Sequence, residues 1–295
     1  MVQTSEMQPT PPDFYGRSNW RALFALLKDY ALILGIIAAS EQIGGGIVYI
    51  FAVWLIGMIQ LGLGETLTHE ASHFNLFKTR RFNQWSEFLC CYPFGFTLND
   101  YRREHSQHHR LLNTNREQLH LDYGNHGLLD ENRNMVWLWF FKPILGYAGV
   151  AYIRSLIQLA TFKSAQKIVL FWVALLGISA WNGWLDLLCL YWIVPLVWSY
   201  ASFFYWSEIE DHFNTTTGTR TNISWTNWLT HNNGYHAIHH RYPRIPWYRL
   251  KQAHFALGDN PTDISRGFFD TFRQISSRNS PQIPRPASIS MPIPS

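Results

Sequence analysis

An all-α integral membrane fold, with about four transmembrane helices under a cytoplasmic helical cap, is what three features of the sequence predict. Apolar runs long enough to cross a bilayer alternate with polar, aromatic-rich stretches. Hydrophobic residues make up 47% and aromatics 16%, yet mean hydropathy is only −0.12, so a large water-facing portion must accompany the apolar segments. Eight of the 13 histidines fall into three clusters at helical spacing, all outside the apolar runs.

Residues 1–19 are polar and proline-containing, with no apolar core of a cleavable signal, so the first apolar segment must itself direct insertion. That segment covers about 21–43. Lys28 and Asp29 interrupt it, which predicts an interfacial amphipathic turn over 20–29 before the span proper. Gly44, Gly45 and Gly46 make a turn, and 47–67 supplies the roughly 20 apolar residues a bilayer needs. The run from Phe88 to Phe96 is too short to span and is expected in the interface or under the cap. Met135 to Ala160 is interrupted by Lys142, Pro143 and Arg154, which favours in-plane helices over a span. Two further spans, about 168–184 and 186–206, read as a hairpin turning at Asn182-Gly183. The membrane domain is thus 20–275, and 276–295 is a Ser/Pro-rich tail expected to be disordered.

The loops between the first two and the last two spans carry no Lys or Arg, so all 24 basic residues lie on the other side or at span ends. The positive-inside rule then puts both termini and all three histidine clusters in the cytoplasm. A net charge of +4 is too small to argue for nucleic acid. Cys90, Cys91 and Cys189 have neither metal nor redox spacing and are expected as packing residues.

The chemistry lies in the histidines. His69 and His73 stand four apart in His-Glu-Ala-Ser-His; His105, His108 and His109 form a second set; His236, His239 and His240 form a third. Positions three and four apart share a helix face, so each set can present its imidazoles together. Imidazole is the commonest metal ligand. His212 follows the fourth span much as His69 follows the second, giving nine histidines, enough for two ions with four or five each. A zinc hydrolase needs three protein ligands, and soluble di-iron bundles use Glu-x-x-His pairs that are absent here. His120, His126, His231 and His254 are left as ordinary packing or surface residues.

These three clusters with four spans resemble the membrane fatty acid desaturase superfamily, which also contains hydroxylases and ketolases. The resemblance runs from about Ala31 to Leu250, and the stretch from Asn233 through His236, His239 and His240 to Trp247 looks most like acyl-chain desaturases. It implies that all nine histidines ligate two iron ions, that O2 is the oxidant, and that hydrogens are taken from an unactivated alkyl chain, most simply to leave a double bond. Glu208, four before His212, departs from the neutral or basic residue usual there, and is a candidate water-mediated or direct ligand. Glu70, Glu104, Asp211 and Asn233 adjoin the histidines and are candidates to orient them.

No dinucleotide fingerprint or haem-binding stretch is present, so electrons must come from a separate carrier of ferredoxin or cytochrome b5 type. Arg102, Arg103, Arg110, Arg116, Arg241, Arg244, Arg249 and Lys251 flank the clusters and could dock an acidic carrier or face lipid headgroups. The substrate is expected to reach the site from the bilayer. Two alternatives stand beside the desaturase reading: a hydroxylase or ketolase on the same scaffold, and a histidine-rich metal-binding or transport protein. Transporters place polar ligands near the membrane midplane, unlike these clusters. Absence of a retention signal favours a bacterial inner membrane over the endoplasmic reticulum.

Overall fold

The computed structural model describes residues 9–112, 114, 118–257 and 263–277; Arg116 and the tail from 278 lie outside them. Four helices are long and apolar enough to cross a membrane: α1 (Asn19–Ile43), α2 (Gly46–Ser72), α6 (Phe162–Trp181) and α7 (Leu185–His212). The remaining helices are α3 (Leu98–Leu111), α4 (Gln118–His126), α5 (Ala148–Leu159), α8 (His236–Arg241), α9 (Trp247–Ala256) and α10 (Phe268–Ser276). Strand structure among the described residues is one parallel pair, Thr221–Asn222 with Ile264–Ser265.

Helix ends follow local chemistry. The Ser18 hydroxyl accepts from the Arg21 amide at the start of α1, and the Thr97 and Thr161 hydroxyls cap α3 and α6 in the same way. Gly44 and Gly45 adopt positive φ (70° and 92°), which closes α1 and turns the chain into α2. The interfacial turn expected over 20–29 is not a separate piece: α1 is continuous from Asn19. Asp29 can lie inside it because it is fully buried against His231.

The segment from Met135 to Ala160 is not one helix. It breaks at Leu145 and Gly146, the latter at φ 97°, before α5 begins. Phe88 to Phe96 folds as short turns whose Cys90, Cys91, Tyr92 and Phe94 are buried in the main core. All three cysteines are free. Cys90 and Cys91 are packing residues as expected, but Cys189 is exposed on the outer face of α7, where a thiol serves as a small apolar group.

Helices α2 and α7 form the central pair. The Ser199 hydroxyl donates to the Val53 carbonyl (2.7 Å), and the Gln60 amide donates to the Trp192 carbonyl (3.1 Å). Such contacts bind helices where no hydrophobic gain drives association. Gly57 permits the approach, because a Cβ there would overlap the Ser199 side chain. Gly35, in the middle of α1, has nothing within 4 Å of its Cβ position. Gly57→Ala is therefore expected to lower the melting temperature in detergent, with a cost of about 1–3 kcal/mol from overpacking. Gly35→Ala should leave it unchanged or raise it slightly. Equal melting of both variants would show that the helices separate freely at this contact.

At about 1.5 Å per residue, the 27 residues of α2 and 28 of α7 exceed the roughly 30 Å hydrocarbon core. Each uses its surplus turns to carry histidines: His69 near the end of α2, with His73 immediately after it, and His212 at the end of α7.

Candidate metal centre

Four elements bring the nine histidines together. The end of α2 supplies His69 and His73, α3 supplies His105, His108 and His109, α7 supplies His212, and α8 supplies His236, His239 and His240. They sort into two groups. His69, His73, His105, His109 and His239 form one, and His108, His212, His236 and His240 the other, with one nitrogen of each member within 4.8 Å of the others in its group. Neighbours on a helix are divided between them: His108 and His109 point to different groups, as do His239 and His240. One residue step rotates about 100° around a helix, so α3 and α8 each serve both groups. The His109 and His240 rings stack at 4.2 Å across the boundary.

Within the groups, Nε2 atoms face Nε2 atoms. His69 and His239 are 2.7 Å apart, His73 and His105 2.9 Å, His105 and His109 2.9 Å, His212 and His236 2.8 Å, and His108 and His240 3.2 Å. Burial strongly disfavours adding protons: desolvation, with charge from neighbouring imidazoles and Arg102, brings His73 down to about 4 and His109 to about 2. His105, His236, His239 and His240 are lowered for the same first cause. Neutral imidazoles carry one N–H each. The Nδ1 of His212 lies 2.8 Å from the Gly218 carbonyl; donating there leaves Nε2 as a lone pair aimed into its group. Convergent lone pairs in two buried groups are a donor set suited to two transition-metal ions.

The Gly218 carbonyl is held in place by Arg220, which is fully buried and donates to the carbonyls of Glu210, Phe213 and Asn214 and to the Gln274 side chain. Nothing in the sequence marked Arg220.

The neighbouring acids and amide are placed as follows. Glu70 turns away from the histidines and accepts from the Trp247 amide (3.0 Å), capping α9. Asp211 accepts from Ser207 (3.3 Å) and lies 3.7 Å from His236 Nδ1. Asn233 donates to the same Ser207 hydroxyl (3.1 Å). Glu104 is exposed on α3, and Glu208, one turn before His212, belongs to neither histidine group.

Two contacts had no sequence forecast. Tyr101 stacks on His105 (5.4 Å) and donates to Glu65 (2.6 Å). His231 is buried, with Nε2 2.6 Å from Asp29 and its ring against Trp247. Of the other three histidines, His126 and His254 are buried and His120 half-buried, away from both groups.

Long apolar helices that end in two polyhistidine groups define an oxidoreductase-type metal scaffold rather than a hydrolase, and the comparisons give its family. Residues 45–271 match the fatty acid desaturase family, and the chain belongs to it. Similar proteins include the dihydrorhizobitoxine desaturase of Bradyrhizobium elkanii, 28% identical over 85% of this chain and 77% of that protein. Another is the sn-1 acyl-lipid omega-3 desaturase (ferredoxin) of Synechocystis sp., 24% identical over 84% of this chain and 77% of that protein.

Proposed function

We propose that this chain is an integral membrane, O2-dependent di-iron oxidase that introduces a double bond into an alkyl chain, most simply a fatty acyl chain. The observation that carries the reading is the division of nine buried histidines into one group of five and one of four, side by side. The five-membered group would hold one iron and the four-membered group the other. When bound, the irons supply O2 activation and hydrogen abstraction.

The residues contribute geometry and exclusion of water. Helices α2 and α7 run past the hydrocarbon region, so a chain dissolved in the bilayer meets the histidines at the membrane boundary. The Gly218 carbonyl and Arg220 fix the orientation of His212. Burial keeps the imidazoles unprotonated and therefore available as ligands. On this reading residues 20–275 form the membrane domain, both termini and the histidine clusters face the cytoplasm, and the membrane is a bacterial inner membrane.

Electrons come from a separate acidic carrier of ferredoxin or cytochrome b5 type; the Synechocystis relative carries ferredoxin in its name. Arg102 is committed elsewhere: its guanidinium donates to the Ser72 and Ala71 carbonyls and packs over Phe74. Arg110, Arg241, Arg244 and Lys251 are exposed and form the docking face.

The test is mass spectrometry of total lipids from a bacterial host expressing the chain with a ferredoxin and its reductase, beside His108→Ala. Loss of two hydrogens from acyl chains, absent in the variant, is the expected outcome. Gain of oxygen instead would make the enzyme a hydroxylase. Exchangeable zinc or copper in purified protein with no iron would replace the oxidase reading by a metal-binding one.

A further inference from the structure

The histidines have a carboxylate layer beside them. Glu104 precedes His108 by four residues on α3, and Glu208 precedes His212 by four on α7, so each acid shares its histidine's helix face one turn away. Asp122 on α4 joins them. The four charged groups acting most strongly on Glu208 are Asp122, Glu65, Glu104 and Asp211, all of them carboxylates. Glu65 is engaged by Tyr101 and Asp211 by Ser207.

The three remaining acids descend from the surface. Glu104 is exposed, Asp122 is half-buried, and Glu208 lies deepest with part of its side chain still open. Among the described residues no hydrogen bond or ion pair reaches the Glu208 carboxylate; Tyr123 contacts its backbone carbonyl instead. A bare carboxylate at that depth is costly, and the cost is relieved by a cation. Chelation of a metal ion would need the three carboxylates to converge, yet the convergent groups among the described residues are the two histidine sets. An organic ammonium is larger and is attracted by carboxylates set several ångströms apart.

We infer that Glu104, Asp122 and Glu208 line a cation-selecting approach to the four-histidine group, and that its ligand is the protonated amine of an alkyl substrate. The inference rests on the metal-centre reading above and sharpens its substrate class. An ammonium seated at Glu208 is about one helical turn, roughly 5.4 Å, from the level of His212. The carbons a few bonds from the nitrogen then face the four-histidine group. A purely apolar acyl chain would leave the carboxylate without a partner.

The experiment uses purified, iron-loaded, full-length protein in detergent and three probes of equal length: hexylammonium, hexanol and hexanoate. Binding is read by calorimetry, and iron by elemental analysis. Hexylammonium should bind roughly tenfold more tightly than hexanol, with hexanoate weakest. Glu208→Gln should reduce that preference to about twofold or less with iron content unchanged, and Glu208→Asp should retain it. Glu104→Gln combined with Asp122→Asn should slow hexylammonium association and weaken its salt dependence. Equal binding of the three probes by the wild-type protein would overturn the inference. Loss of iron in Glu208→Gln would also overturn it, making Glu208 a metal ligand. Slowed Fe2+ uptake in the Glu104/Asp122 variant without amine preference would assign the route to the metal. A wild-type protein that holds no iron would sink the metal-centre reading, while the probe comparison could still be made.

Discussion

Alanine at His239 will remove one iron, and alanine at His240 will remove the other. The two residues are neighbours on α8, yet their imidazoles belong to different groups. Either substitution should bring bound iron from two ions per chain toward one, and the double variant should hold neither. The losses will not be equal. His239 leaves four imidazoles behind, a full set for a tetrahedral ion, whereas His240 leaves three. His240→Ala should therefore weaken its ion more, and both should lower desaturation by about 100-fold or more, beyond what loss of a ligand's supporting partner costs. Elemental analysis after gel filtration, with turnover on the same samples, reads both quantities. If each single variant lost both ions together, the two groups would be one cooperative cluster and the five-and-four division would be wrong.

The number of histidines was readable from spacing, because residues three and four apart must share a helix face. Their division into groups was not. His108 and His109, like His239 and His240, are separated by where α3 and α8 cross, a tertiary fact. Rotation by about 100° per residue also explains the adjacent acids. Glu70 sits beside His69 in sequence but points away and caps α9, so adjacency in the chain misled where four-residue spacing did not. The four apolar helices were legible from composition, but α2 and α7 continue past their apolar portions because a helix does not end where hydropathy falls. The break in 135–160 was signalled by Pro143, although the chain turns three residues later at Gly146. Arg220 carried no signal, since its partners are backbone carbonyls. Asp29 did carry one: an acid inside an apolar run needs a partner. Its partner lies 202 residues away, beyond the reach of any local pattern.

That partnership gives the second large effect. Asp29 and His231 are both buried, with Oδ2 and Nε2 2.6 Å apart. Lys28 Nζ lies 3.1 Å from the other carboxylate oxygen but out of line for a hydrogen bond. The pair fastens α1 to the loop before α8. His231 and Asn232 hold positive φ there (50° and 60°), His231 packs on Trp247, Asn232 donates to the Trp247 carbonyl, and the Trp247 amide donates to Glu70 beside His69. His231→Ala would leave a buried carboxylate without its main partner, a loss of about 3–5 kcal/mol, or on the order of 10 °C in melting temperature for a chain of this size. Iron should be lost on purification as well, because the third histidine cluster loses its anchor on α1. Asp29→Leu combined with His231→Phe should recover part of the melting temperature, since an apolar pair removes the desolvation cost of the charge. Iron retention separates the two roles. Recovery of stability without iron would mean that the pair orients α8, whereas recovery of both would mean that it only packs. A His231→Ala protein with wild-type melting and full iron would rule out the Asp29–His231 contact as an anchor for the metal centre.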